Sequence, residues 1–216
     1  METELQRLLN SPRLRLYYRE IGRILEEESR RRHRFYGEMR EDRKMELILG
    51  EVVIQSPVKM VHEFVSSNLA ALLRFHVMAH DLGHVGHERL LVSLTRNDYE
   101  PDVCFWKAET AAGFRPDQMH FPAPTFVAEV LSPSTAEIDR TVKSEDYAAH
   151  GVEEYWIIDP EKEEVEQYIL GGEKFRLVLK SDSGEIRSRV VKGFRIPLRA
   201  LFEREAHLRA LASLRL

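Results

Sequence analysis

The sequence predicts an α/β fold, a mixed β-sheet core flanked by helices and preceded by a helical arm. Three observations carry that expectation. "TFVAEVL" (125–131) and "EYWIIDP" (154–160) are nearly continuous apolar runs, the pattern of strands covered on both faces. Between them lies a helical stretch closing at Gly151, so residues 124–159 read strand–helix–strand, which implies a right-handed parallel crossover. Residues 57–79 place apolar side chains at helical spacing ahead of a series of short β runs.

The elements follow in order. Residues 3–36 read as helical, with Leu5, Leu8, Leu9, Leu16, Ile21, Ile24 and Leu25 as apolar positions, and Ser11–Pro12 marks the start of a second helix. This arm has few core positions for its length, so it is expected to pack on a partner or lie over the domain. The expected division is therefore an N-terminal helical extension, 1–36, and one domain, 37–216. "MELILGEVVIQ" reads as a hairpin around Gly50. Pro57 is expected to open a helix to about Ala79, with Val61, Phe64, Val65, Leu69, Leu72, Leu73 and Phe75 on its apolar face. "RLLVSLT" and "PDVCFW" read as strands, followed by a polar loop from Lys107 to Phe121. Ser134 and Glu137 have capping-box spacing at the start of the helix that ends at Gly151. Asp159–Pro160 reads as a turn, and "EVEQYIL" starts a hairpin around Gly171–Gly172. "KFRLVLK", "EIRSRVV" and a short amphipathic helix from Leu198 complete the chain.

Composition sets bounds. A chain of 216 residues can bury a sizeable core. No apolar run approaches the roughly 20 residues of a membrane span, and the charged N-terminus lacks a signal-peptide segment, so no membrane and a cytoplasmic setting are expected. The single cysteine, Cys104, excludes an intrachain disulfide framework and a cysteine-rich zinc site; it reads as a small buried strand residue. The net charge of −4 gives no global attraction to nucleic acid. The run "RRRHR" (30–34) reads as a solvated helix face in preference to a phosphate-contact patch.

The loudest local signal is "FHVMAHDLGHVGHERL" (75–90), which holds His76, His80, Asp81, His84 and His87. His80–Asp81 resembles the metal-binding pair of HD-type phosphohydrolases, with His62 as the upstream ligand. The strand-rich sequence that follows does not supply the helical bundle such a site needs. Gly83 and Gly86 more simply end the long helix, leaving the histidines exposed in a polar turn.

A quieter pair carries more weight. Glu129 interrupts an apolar strand, where a lone buried carboxylate costs several kcal/mol unless it is paired or metal-bound. Asp102 begins a second apolar strand. Two carboxylates with a backbone carbonyl make an oxygen site suited to Mg²⁺ or Mn²⁺. Asp139, Lys143 and Tyr147 follow at i, i+4 and i+8 on one helical stripe, close enough to the Glu129 strand to reach it. An exposed helix face with an Asp–Lys pair explains that spacing equally well.

Read in order, "MELILGEVV", "HEFVSSNLAALL", "PDVCFW", "FVAEVLSPST", "DRTVKSEDYAAHGVEEYWIIDP" and "RIPLRALF" resemble the Uma family of restriction-endonuclease-like proteins, a branch of the PD-(D/E)XK nuclease superfamily. The resemblance runs from about Phe35 to Phe202. It implies a restriction-endonuclease-like sheet core and Mg²⁺-dependent (or Mn²⁺-dependent) hydrolysis of phosphodiester bonds in nucleic acid, with DNA the expected substrate. It places Asp102 on the family's "PD" aspartate and Glu129 on its acidic strand residue, with the Val130 carbonyl as a third metal donor. The superfamily lysine two positions after that acid is Leu131 here, and Lys143 is the implied substitute. Glu46 and His62 match a family glutamate and histidine, as a further acid and as a support or phosphate contact. Asp139 and Tyr147 belong to the same helix motif as Lys143. The under-filled arm suggests a homodimer. The alternatives are a nuclease-like scaffold that binds nucleic acid or protein without turnover, and, behind it, the HD-type phosphohydrolase.

Overall fold

Every residue of Phe126–Val130 is buried, and this strand sits inside the largest of the three sheets formed by the described residues. The computed structural model describes residues 4–40 and 43–214. The chain forms two compact units: Met1–Gln55 with Thr95–Asp98, and Ser56–Leu94 with Tyr99–Leu216.

In the first unit, helices α1 (Glu4–Leu9) and α2 (Leu14–Glu38) precede strands β1 (Met45–Ile48) and β2 (Glu51–Ile54), an antiparallel hairpin. Residue 3, where helix was expected to begin, lies outside the described residues. The hairpin turn holds Leu49 and Gly50 at φ of 51° and 80°. Two positive φ values suit the twist of a tight hairpin, but leucine rarely adopts one. The Leu49 N–H donates to Asn97 Oδ1 at 2.6 Å, which ties the turn down. On α2 only Phe35 is buried, while Leu16, Ile21, Ile24 and Leu25 stay exposed. The arginine run is partly tied down. Arg32 pairs with the buried Asp98 at 2.7 Å, and Arg31 with Glu27 and Glu51.

The second unit starts with α3 (Met60–Ala79), three residues after Pro57. Strands β3 (Gly83–His87), β4 (Leu91–Ser93), β5 (Asp98–Tyr99, whose Asp98 belongs to the first unit) and β6 (Val103–Lys107) follow. A helical turn, α4 (Ala108–Ala111), and β7 (His120–Phe121) break up the expected polar loop. Next come β8 (Phe126–Val130), α5 (Ala136–Ile138), a π-helical turn (Asp139–Lys143), α6 (Ser144–Ala149) and β9 (Glu154–Asp159). The chain ends with β10 (Glu164–Gly171), β11 (Lys174–Ser181), the small β12 (Glu185–Arg187) and β13 (Arg195–Pro197) pair, α7 (Arg199–Phe202) and α8 (Arg204–Ser213). The last two replace the single C-terminal helix expected.

The main sheet has the order β11-β10-β9-β8-β6-β3, with β8 and β9 parallel and the other pairs antiparallel. This is the mixed sheet expected. Alternation along β8 sends Phe126, Ala128 and Val130 into the core with Leu69, Leu72 and Leu73 of α3, and leaves Glu129 on the opposite face. A Schellman motif ends α6: Gly151 has φ 78°, and Val152 N–H reaches the Tyr147 carbonyl at 3.0 Å.

Two local expectations fail. The capping box does not form: Ser134 Oγ meets Ser132 Oγ at 3.0 Å, and the helix start has no side-chain cap bond. Neighbouring hydroxyls compete successfully for Ser134. Residues 83–87 form strand β3 at the sheet edge and not an exposed turn, and the helix stops at Ala79 with Asp81 at φ 51°. Gly83 and Gly86 serve the sheet. A Cβ on Gly83 would lie 2.0 Å from the Trp106 carbonyl oxygen, and one on Gly86 2.7 Å from Cys104 Sγ. His76 is buried, with Nε2 2.9 Å from the Lys192 carbonyl, and His80 Nδ1 lies 2.9 Å from the His76 carbonyl. Both rings therefore spend a nitrogen on backbone.

Two predictions follow from buried acids away from β8. Glu154 is fully buried and accepts five hydrogen bonds: from Trp156 Nε1 and Gln167 Nε2 at 2.6 Å each, Ser188 Oγ at 2.7 Å, and the N–H groups of Arg189 and Val190 at 2.8 and 3.1 Å. Glu154→Ala strands those donors and should cost at least about 3 kcal/mol in urea denaturation. Glu166 is different. Burial opposes its charge, but hydrogen bonds from Arg140, Tyr168 and Lys180 outweigh that and hold its pKa at about 2, against an ordinary 4.5. A lowered carboxylate pKa stabilises the fold above the unfolded value and loses that contribution as pH falls towards the folded one. The stability gap between wild type and Glu166→Gln should therefore be full above pH 4.5 and close between 4.5 and about 2.

Candidate active site

The register of β6 and β8 decides which acids meet. Val103 lies opposite Ala128 and Cys104 opposite Val127, so one further step sets Asp102 against Glu129. Like charges directly opposite on adjacent strands are unfavourable, and both side chains are about 97–98 % buried, with 3 % and 2 % exposure. The pair is laced by backbone donors. Val130 N–H donates to Asp102 Oδ2 at 2.8 Å, and Asp102 N–H donates to Glu129 Oε2 at 3.3 Å.

The helical segment after β8 answers the charge. Lys143 Nζ donates to Glu129 Oε1 at 3.0 Å and lies 3.1 Å from Asp139 Oδ1. Tyr147 Oη donates to the same Glu129 oxygen at 3.0 Å. All three helix residues are buried, so the stripe is not a solvated face. Asp139 and Lys143 bound a π-helical turn, a rare local widening common at functional sites. Tyr155 Oη donates to the Asp139 carbonyl at 3.0 Å from β9. Burial, then the nearby Glu129 and Asp139 charges, push the Tyr155 phenol well above its ordinary pKa, so it stays a donor.

His62, on the first turn of α3, places Nε2 3.3 Å from Asp102 Oδ2. Lys143 also lies 5.6 Å from the centre of the Tyr99 ring, and Tyr99 Oη donates to Asp146 at 2.8 Å. Tyr99 carries no recognisable signal in the sequence; an aromatic among short β runs reads as core. Cys104, behind the acids on β6, has its thiol pKa raised by burial and then by Glu129, and is inert. Leu131 is buried and brings no amino group; the ammonium comes from the helix.

Of the sequence-derived candidates, Asp102, Glu129, Val130, Lys143, Asp139, Tyr147 and His62 thus share one neighbourhood. Glu46 lies on β1 in the first unit, buried, and accepts a hydrogen bond from Gln55 Nε2 at 3.0 Å. Among the described residues, no group of three or more His, Cys, Asp or Glu side chains is arranged to hold a metal ion. The available donors are two carboxylates and a neighbouring carbonyl. That set fits Mg²⁺, which binds through one or two carboxylates and retains several waters.

Comparison with known proteins bears on the family and the fold. A family model, Uma2, described as "Putative restriction endonuclease", matches residues 27–199. A crystal structure described as "a putative nuclease belonging to DUF820", from Anabaena variabilis, is similar with a TM-score of 0.68 and 16% identity, over 78% of this chain and 94% of that one. At that identity the likeness speaks to fold alone, a mixed α/β architecture. No curated protein matches the chain. Because the family model covers most of its length, the chain belongs to the Uma2 family of restriction-endonuclease-like proteins.

Proposed function

We propose that the chain is a divalent-metal-dependent endonuclease that hydrolyses phosphodiester bonds of nucleic acid, with DNA as substrate. The observation that carries this reading is the facing pair Asp102 and Glu129, buried together and met by Lys143. One ammonium shared by Glu129 and Asp139 leaves that trio formally anionic, and Asp102 adds to it. A Mg²⁺ or Mn²⁺ ion held by Asp102, Glu129 and the Val130 carbonyl would balance the excess; when bound, such an ion polarises phosphate and acidifies water.

The chain's own residues then have distinct tasks. Asp102 and Glu129 position the ion. Lys143 orients the attacking water or offsets charge building on the phosphate, in place of the lysine missing at Leu131. Asp139 and Tyr147 fix the rotamers of Lys143 and Glu129. His62 braces Asp102 and faces the entering phosphate. The exposed apolar stripe of α2 (Ile21, Ile24, Leu25) gives a second copy a surface to cover, which suits a homodimer acting on two strands.

Glu129→Gln and Asp102→Asn should each lower Mn²⁺-dependent cleavage of plasmid and oligonucleotide DNA at least about 100-fold while keeping the fold. Cleavage that survives both substitutions would remove this assignment. Binding without turnover in wild type would instead point to a nuclease-like binding module. Lys143→Met leaves Glu129 and Asp139 without their shared ammonium. It should destabilise the metal-free protein by about 3–5 kcal/mol, and added Mg²⁺ should recover part of that loss in thermal melts.

A further inference from the structure

Asp102 and Glu129 barely reach the surface, so a substrate needs a defined way in. A cavity lies beside them, with His62 in its wall. It has a volume of about 170 Å³ and lies between the start of α3 and the segments that follow β8 and β9. That is the carboxyl end of the two parallel strands, where open α/β sheets hold ligands. Its inner wall includes His62, whose Nε2 is 3.3 Å from Asp102. Val61, Leu131, Pro133, Ala136 and Pro160 give it apolar wall, with Ser132 and the Asp159 carboxylate between them. Asp159 Oδ1 is already engaged by the N–H groups of Glu161 and Lys162 at 3.1 Å each. At the rim, Lys59 Nζ donates to Glu161 at 2.7 Å with both side chains largely exposed. An exposed pair of this kind is worth little, so a phosphate can displace Glu161 at small cost.

The volume is well below the several hundred Å³ of a pocket for a drug-sized ligand, and suits one ring system. A stacked base pair cannot enter it. From these features we infer that the cavity takes the base of a single unstacked nucleotide beside the cleaved phosphate, with Lys59 contacting the next phosphate along. The inference rests on the nuclease reading and refines its substrate: single-stranded or locally opened nucleic acid is preferred to intact duplex. Extracting a base from a duplex costs a few kcal/mol, whereas a single strand offers it directly.

Binding in EDTA separates this inference from catalysis. Fluorescence anisotropy with 5′-labelled (dT)12 and with its (dA)12 duplex should show the single strand bound at least about tenfold more tightly. Ala136→Trp and Val61→Trp, which fill the cavity from two sides, should each weaken (dT)12 binding about tenfold, and Lys59→Ala should lower the salt dependence. Using two fillers guards against one that misfolds, and circular dichroism checks each. Glu129→Gln should bind (dT)12 like wild type while losing Mn²⁺-dependent cleavage. Equal or tighter binding of the duplex, or wild-type affinity in both folded filler variants, overturns the inference. So does free dTMP competing as well as the oligonucleotide, since the pocket would then serve mononucleotides. Preferential single-strand binding in a protein that never cleaves would sink the nuclease reading and leave the pocket assignment standing.

Discussion

Two acids facing each other across a pair of strands set the terms for the rest of this site. At an effective dielectric near 20, unit charges about 4 Å apart interact by about 4 kcal/mol, a large fraction of a domain's net stability. The chain meets this cost with groups of fixed position. Asp102 accepts the N–H of Val130, next to Glu129, and Glu129 accepts the N–H of Asp102 itself, so the carboxylates that repel also pin the strands. Lys143 supplies the opposite charge to Glu129 and is itself steadied by Asp139. Removing Lys143 takes from Glu129 and Asp139 the ammonium they share. The parallel pairing of β8 with β9 matters for the same reason. It requires a crossover, and the crossover helix brings Asp139, Lys143 and Tyr147 over Glu129.

Much of this was legible in the residues. A carboxylate in "FVAEVL" conflicts with its apolar surroundings, and that conflict marks Glu129. The i, i+4, i+8 stripe marked Asp139, Lys143 and Tyr147. Whether the stripe faced solvent or Glu129 was open on spacing alone, because a helix can turn either face inward. The π-helical turn leaves no pattern in the sequence; in the fold Tyr155 reaches across from β9 to the Asp139 carbonyl at its start. The strand at 83–87 was hidden for a related reason. Its glycines resemble turn residues in isolation, and only the approach of Trp106 and Cys104 on β6 shows why no side chain fits there. The capping box failed by local competition, with Ser132 claiming the Ser134 hydroxyl.

A second buried acid shows what distinguishes a candidate site from a structural anchor. Glu154 sits in "EYWIID" much as Glu129 sits in "FVAEVL", and composition alone does not separate them. Glu129 lies within its strand, whereas Glu154 opens its own. In the fold Glu154 is the more deeply buried of the two. Its five donors are neutral, two of them backbone N–H groups, and they saturate both oxygens while locking β9, β10 and the 188–190 turn together. That arrangement has no use for a cation.

Glu129 is satisfied in another way. Its partners are an ammonium, a phenol and the backbone of a second acidic residue, so its environment is charged and responds to a change of charge nearby. Adding a divalent cation near Glu154 would require breaking hydrogen bonds with nothing gained in return. One held near Glu129 would instead offset its repulsion from Asp102. The difference lies in charge balance and not in burial, and it is the physical reason for reading β8, in preference to β9, as the strand that carries the chemistry.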